Sequence, residues 1–497
     1  MTPVSSAVAT PRGAGVDAGF VVASSCPRCG APLDFAEGSN AVRCKHCASM
    51  LLVTGRRCVL SYAVRARVTP SEARTLAGFT RAAGAAEAVA RLGAPKLVFV
   101  PYYRLSAEEV FWHREKAAAP REAAASDLDD AGDRLMRFVS GAAGTREQGR
   151  TVALASRAIE RNFLACDAGG LASWSLGVRP GVLRLELFQR AALEGQGVVL
   201  RPTIAQDAAL VRALEPLAGV DVIHRDVLRS VLSLVYFPLW TMASGTAAAP
   251  RVTVVDAVSG SIVARDADPA PLDALAHAGE ASDRVLGFRP LCCPNCGWDL
   301  PVRAADVVFH CTSCARTWEL AGEELEPVAS DVAAGIVGGA RAGSGGSAVS
   351  HLPVWQVSGD VGVSGTEDRL RTLLPQRLFA PAFRWRALKS LCDLGARLAR
   401  SVPAEPELAA TKDVSLVGCS LDRGDAVTLA RLVALRVLMD DANVRHRVSN
   451  GNQAPQVEIA AAQTKLLWLP FAGDAYSLRE PFTGYALPRR GVEDLVG

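Results

Sequence analysis

Apolar runs broken by a proline recur at four places: LVFVPYYRL at 97–105, SLVYFPLW at 233–240, HLPVWQV at 351–357 and KLLWLPF at 465–471. Each is a short apolar stretch carrying aromatic or bulky residues, a pattern that predicts a buried strand. Proline has no N–H to give to a ladder, so each run is expected at an edge, a bulge or a strand end. Strand-like patterns also cover 57–68, 182–189, 252–264 and 476–488, and the four proline runs extend to 96–105, 231–240, 352–358 and 464–471. Helical periods appear near 70–91, 152–165, 205–217, 385–400 and 423–441. Thr69, followed by Pro70, is expected to cap the first helix, and Thr203 and Ser420 to cap two others. No regular βαβ alternation emerges, so the fold class is α+β with antiparallel strands.

These elements recur in one order. Asp256-x-x-Ser259-Gly260 matches Glu480-x-x-Thr483-Gly484, each predicting a hairpin in which glycine supplies the positive φ. The chain therefore reads as two pseudo-repeated halves, roughly 24–268 and 290–497, each comprising a small cysteine-rich segment and a mixed domain.

The cysteines sharpen that reading. Cys26, Cys29, Cys44 and Cys47 form C-x2-C-x14-C-x2-C, and Cys293, Cys296, Cys311 and Cys314 repeat the spacing position for position. Pro27, Gly30 and Leu33 fall on Pro294, Gly297 and Leu300. Two C-x2-C turns joined by a hairpin bring four thiolates to one cation and leave no position for water, the pattern of a structural site. These segments resemble zinc ribbons of the type found in transcription factors, ribosomal proteins and many bacterial proteins. The resemblance implies two structural Zn2+ ions, with iron held as in rubredoxin as the rival. A hairpin this short cannot build its own core, so the metal would supply most of its folding free energy. His46 and His310 lie beside the ligands and are expected to support rather than bind. Cys58, Cys166, Cys292, Cys392 and Cys419 read as scattered small residues.

The expected organisation is a disordered N-terminus over 1–23, a ribbon at 24–56 and an α+β domain at 57–268 with a mobile loop at 115–133. A linker at 269–289, a second ribbon at 290–325, a Gly-rich linker at 326–350 and a second α+β domain at 351–497 follow. The glycine-rich stretch predicts a second ribbon tethered rather than packed.

Composition adds exclusions. The 497 residues carry 54 basic and 51 acidic side chains, a net +3, so the whole chain is not a polyanion binder. Locally the two ribbons differ: residues 26–57 carry five basic and two acidic groups, 293–324 two basic and five acidic. Arg28, Arg43 and Lys45 are therefore the candidate nucleic-acid contacts. The N-terminus does not read as a signal peptide and no apolar run is long enough to span a bilayer, which points to the cytoplasm, where paired cysteines hold metal. No H-E-x-x-H, phosphate loop, dinucleotide fingerprint or nucleophile elbow occurs. Tyr102, Tyr103, Trp240, Trp355 and Trp468, flanking the prolines, either line a groove for an extended peptide or pack the cores. The leading expectation is a non-enzymatic scaffold or adaptor for a protein partner; the alternatives are nucleic-acid binding through the first ribbon, and an enzyme with a site between the halves.

Overall fold

A computed structural model describes residues 21–54, 59–78, 92–116, 150–168, 172, 183–213, 220–244, 246, 248–277, 287–301, 303, 305–322, 324–334, 336–337, 340–341, 348–364, 368–385, 388–409, 414–473, 476–489 and 492. Most of the expected disordered N-terminus and mobile loop, the second half of the helix expected at 70–91, residues 214–217 and part of the Gly-rich linker lie outside them. The chain divides into two compact units, one made of residues up to Arg104 with Arg161–Ala213 and Leu232–Leu291, the other of Leu105–Glu160, Leu214–Val231 and Cys292–Gly497. Residues 105–160 and 214–231 thus count with the second unit.

The chain opens with the hairpin β1 (Val21–Ser25) and β2 (Pro32–Ala36), then a second hairpin, β3 (Ala41–Arg43) and β4 (Met50–Thr54). β5 (Leu60–Val64) leads to α1 (Pro70–Gly78). Thr69 caps α1 as expected: its hydroxyl accepts the Glu72 N–H at 3.3 Å while the Glu72 carboxylate accepts the Thr69 N–H at 2.8 Å. Next come β6 (Lys96–Lys116), β7 (Arg150–Leu164), β8 (Arg184–Leu187), α2 (Arg190–Glu194), β9 (Val198–Val199) and α3 (Gln206–Ala213). β10 (Asp221–Ala243), β11 (Val252–Asp256), β12 (Ile262–Ala267), α4 (Ala270–His277) and β13 (Gly287–Pro290) complete this stretch. One sheet runs β12-β11-β10-β5-β8-β1-β2, with β6 beside β10 and carrying β7 and β9. β5 joins β10 in parallel and β11 joins it antiparallel. The first unit's core includes Val22, Leu33, Tyr62, Val100, Tyr102, Leu185, Val235 and Val254.

The second unit begins its ribbon with β14 (Val308–His310), β15 (Thr317–Ala321) and β16 (Glu324–Val328), then β17 (Ser330–Val332) and the small pair β18 (Ile336–Val337) and β19 (Ala340–Arg341). β20 (Ala348–Ser364), β21 (Arg377–Pro381), α5 (Leu388–Ser401), β22 (Ser415–Leu416), α6 (Arg423–Leu438), α7 (Ala442–Ser449), β23 (Gln456–Gly473), β24 (Ser477–Arg479) and β25 (Ala486–Pro488) follow. Their sheet runs β21-β20-β23-β24-β25, with β17 parallel to β23 and β22 parallel to β20. α5 is amphipathic and buries Leu388, Leu391, Cys392, Leu394 and Leu398, the spacing of one helical face. It lies so close to β21 that a Cβ on Gly395 would stand 2.3 Å from the Phe379 carbonyl oxygen. α6 is buried on most of its surface.

Several expectations need correction. Residues 152–165, read as a helix, form β7, because pairing with β6 overrides a weak local period. The expected linkers at 269–289 and 326–350 contain α4 and β13, and β16 to β19. The second ribbon is packed, not tethered: the Val307 N–H donates to the Cys419 carbonyl at 2.9 Å, and Val308, Phe309, His310 and Trp318 are buried. The cap of α6 is Asp422, which accepts the Asp425 N–H, while the Ser420 hydroxyl donates to the Ala382 carbonyl. The Thr203 hydroxyl likewise turns away from α3 and accepts the Asp167 N–H. Among the described residues no helix is long and apolar enough to cross a membrane.

Candidate metal centres

Each cysteine pair sits on a tight turn closed by its own backbone. In the first ribbon the Cys26 N–H donates to Ala31 and the Gly30 N–H back to Cys26; Cys44 with Ser49, and Ala48 with Cys44, repeat the arrangement. The second ribbon does the same at Cys293, Trp298 and Gly297, and at Cys311, Arg316 and Ala315. The residue after each pair takes a left-handed φ: Gly30 at 71°, Ala48 at 58°, Gly297 at 76° and Ala315 at 57°. Glycine suits that conformation, and the two alanines tolerate it at a cost because the turn must fold back beneath two sulfurs.

The turns bring four sulfurs together twice. In each set the ligand atoms of all four cysteines lie within 4.8 Å of one another. Cys26 and Cys47 are 3.8 Å apart at sulfur, Cys29 and Cys44 also 3.8 Å; the second set gives 3.6 Å and 3.5 Å. A tetrahedron of sulfurs about 2.3 Å from a central zinc has edges of about 3.8 Å, so both cages fit a four-coordinate ion. Sulfur spacing fixes the ion's size and coordination, not its identity. In the first cage the Ser49 hydroxyl and N–H hold the Cys47 thiol down to about 6. The Ala31 N–H draws Cys29 down as well, but partial desolvation and the other three thiols outweigh it and push Cys29 up to about 12. A dication resolves such crowding by holding every sulfur as thiolate and releasing the protons.

The ribbons are fastened differently. In the first unit the buried Glu37 receives the Arg104 guanidinium at 2.5 Å and the Ser233 hydroxyl, which ties the β2–β3 connection to β6 and β10. In the second unit Glu319 accepts the Arg423 N–H at 2.7 Å and its guanidinium at 2.6 Å, tying β15 to the start of α6. His310 is not a ligand. Its Nδ1 meets the Thr317 hydroxyl at 3.0 Å and its ring lies edge-on to Trp468. His46 is exposed, and Cys58 lies outside the described residues. Burial pushes Cys166 and Cys392 up to about 12 and raises Cys419, so these thiols are inert packing. Cys292, beside a ligand, donates to Asp299 at 3.4 Å.

Arg28, Arg43 and Lys45 are all exposed on the first ribbon, with Arg28 donating to the Ser49 hydroxyl at 3.1 Å. The aromatic groove is not formed. Tyr102, Tyr103, Trp240, Trp355 and Trp468 are between 0% and 8% exposed and present no face to a peptide. Burial instead forces their polar edges to find partners inside: Tyr103 donates to the Ile204 carbonyl, Trp355 to Leu421, Trp468 to Val417 and Trp240 to Val68.

The cysteine turn also occurs without cysteine. At Asp256 the N–H donates to Ser261, the Gly260 N–H returns to Asp256, and Gly260 has φ 76°. Glu480, Tyr485 and Gly484 repeat this with φ 68°. Here a carboxylate replaces the metal as the centre. Asp256 accepts the N–H of Val258 and Ser259 and the Ser259 hydroxyl; Glu480 accepts the N–H of Phe482 and Thr483 and the Thr483 hydroxyl.

Sequence reading missed what completes each ribbon. β13 pairs with β4 as the third strand of the first ribbon, and β16 pairs with β15 as that of the second. The signal was present as FRPL at 288–291 and LEPV at 325–328. No protein-family model matches the chain, and no curated protein or solved structure is significantly similar to it.

Proposed function

We propose that the chain is a non-enzymatic zinc-binding scaffold of the cytoplasm, built from two repeated α+β halves and presenting its surfaces to a protein partner. The observation that carries this reading is the closure of both cages: four sulfurs at tetrahedral spacing leave no coordination position for water or substrate. Such ions hold a small hairpin rigid, which suits a docking element.

The duplication rests on register. With Pro101 set on Pro353, the parallel partners of Val98 and Phe99, Val198 and Val199, fall on Ser415 and Leu416, the partners of Ser350 and His351. Backbone bonds follow: Leu200 to Phe99 matches Val417 to His351, Ala165 to Pro101 matches Ala382 to Pro353, and Thr203 to Ala165 matches Ser420 to Ala382. The side-chain bonds of Tyr103 to Ile204 and Trp355 to Leu421 occupy equivalent places. With Pro238 set on Pro470, the left-handed strand residues Arg229 and Ala461, at φ 51° and 47°, coincide.

Affinity capture from the native host with mass spectrometry, combined with elemental analysis, tests the reading. Protein subunits at fixed stoichiometry and two zinc ions per chain are expected; a chain with no reproducible protein partner overturns the scaffold. A second reading, nucleic-acid binding, is favoured by the joint exposure of Arg28, Arg43 and Lys45. It requires steeply salt-dependent binding that disappears when all three are changed to Gln.

A further inference from the structure

The third strand reaches the two ribbons by different routes yet arrives with one pattern. β16 follows β15 after a tight turn, whereas β13 comes to β4 from far along the chain. Counted from the last ligand of each ribbon, Pro290 lies opposite Leu51 and Pro327 opposite Trp318, the fourth residue after Cys47 and Cys314. Phe288 opposes Val53 as Leu325 opposes Leu320, and Arg289 opposes Leu52 as Glu326 opposes Glu319. The apolar residue after each proline, Leu291 or Val328, is buried; the apolar residue two before is half-buried; the charged residue and the proline between them are exposed. Phe288 seats its ring edge-on against Phe35, centroids 5.6 Å apart.

Connectivity cannot have selected this pattern, because the connections differ. The edge of the preceding strand selects it. Extended backbone supplies ladder bonds, the apolar residue and the residue after proline supply side-chain pockets, and proline, with no N–H, ends the sheet outward. Guarding an edge needs the proline alone; it does not require the same apolar residues at the same register on either side.

Resting on the scaffold reading, we propose that the outer edge of β4 is a recognition slot for extended segments of the form apolar-x-Pro-apolar, filled here by residues 288–291 and open to a partner's segment of that form by strand addition. The partner is a protein with such a segment at a mobile terminus or loop.

The test uses full-length, zinc-loaded protein and capped, labelled pentapeptides read by fluorescence anisotropy. F288D removes the resident anchor. The variant is expected to bind GFRPL and ELEPV at least tenfold more tightly than wild type does, and not to bind GDRPL. Absence of binding up to millimolar peptide, or equal binding of GDRPL, overturns the slot. Should F288D hold fewer than two zinc ions, the milder F288A decides by the same criteria. In wild type, excess GFRPL is expected to speed hydrogen exchange at 287–291; unchanged exchange overturns displacement by a partner. Partners captured from the host by a protein that ignores these peptides would sink the slot and leave the scaffold standing.

Discussion

The strand around Pro101 and the strand around Pro353 make the same backbone bonds with different side chains. Tyr103 reaches the Ile204 carbonyl through a hydroxyl and Trp355 reaches Leu421 through an indole N–H, both at 2.8 Å. Phe99 stands where His351 stands, and Arg229 where Ala461 stands. The comparison teaches which features such an architecture must keep. Ladder register, the left-handed residue within the strand and the polar contact to a buried carbonyl are held, and the last follows because an unpaired carbonyl in the interior costs about 1–3 kcal/mol whichever residue faces it. The chemistry of the donor is free to vary.

The largest effect should come from the cages. Replacing Cys44 or Cys311 with Ser is expected to lose one metal ion each by elemental analysis, since a structural ion such as zinc is worth on the order of 10 kcal/mol to a small ribbon. The two losses should spread differently. Cys44→Ser should raise hydrogen exchange in β3, β4 and β13. Cys311→Ser should also loosen the start of α6, through the bond from Val307 to Cys419 and the Glu319–Arg423 pair. Equal footprints would break the contrast in how the ribbons are fastened.

The two left-handed strand residues offer the next test. In the second unit Arg229 donates its N–H to Asp425 at 2.7 Å and sends its guanidinium to Glu108 at 2.7 Å and to the Phe383 carbonyl at 3.1 Å. Arg229→Ala makes the two positions alike and should cost about 3 kcal/mol in denaturant unfolding, because it strands the half-buried Glu108 carboxylate. Trp355→Phe should cost about 2–3 kcal/mol from lost volume and from leaving the Leu421 carbonyl only the weak Cys419 thiol donor at 3.5 Å, and Tyr103→Phe about 1–2 kcal/mol from the orphaned Ile204 carbonyl alone.

How much of this was legible follows from which forces are local. The cysteine spacing, the acidic turns and the Thr69 cap are written within a few residues, and each formed as read. The proline runs formed strands, but longer ones than read. Pro101, Pro238, Pro353 and Pro470 lie inside β6, β10, β20 and β23 rather than ending them, because each missing N–H is absorbed within a ladder paired along the rest of its length. The cap on α6 shifted from Ser420 to Asp422 because the Ser420 hydroxyl found a partner across the fold, the Ala382 carbonyl. β7 looked helical over a window of its own residues and became a strand through pairing with β6. The third strand of the first ribbon showed as FRPL, but no local window could assign it to that ribbon, since its partner lies near the start of the chain. The aromatics flanking the prolines were readable as large and apolar, but not as buried, because burial is set by the helices and strands that cover them.

His351 against Phe99 gives a pH-dependent contrast. Burial holds the His351 imidazole below its ordinary pKa. Above the unfolded value of about 6.5 both folded and unfolded chains carry it neutral. Below that value the unfolded chain takes the proton first, and stability falls by up to about 1.4 kcal/mol per pH unit until the folded pKa is reached. His351→Phe should therefore flatten the loss of stability below about pH 6.5. His310, also held low by burial, would keep its own share. An unchanged slope in acid unfolding curves would mean that His351 does not titrate on unfolding.

The smallest effect separates the acidic turns. Ser259 donates to Asp256 at 2.6 Å and Thr483 to Glu480 at 2.7 Å, so each turn loses one hydroxyl bond on mutation to Ala. Asp256 retains 9% exposure and can recruit water in its place, whereas Glu480 retains none. Burial already raises the Glu480 pKa, a sign that its charge is held at a cost and depends on its few donors. Ser259→Ala should cost about 1 kcal/mol and Thr483→Ala about 2 kcal/mol, with the second penalty shrinking in acid as Glu480 takes a proton. Equal penalties across pH would make the two turns interchangeable, and would leave the backbone turn, not the carboxylate at its centre, as the feature that the two hairpins share.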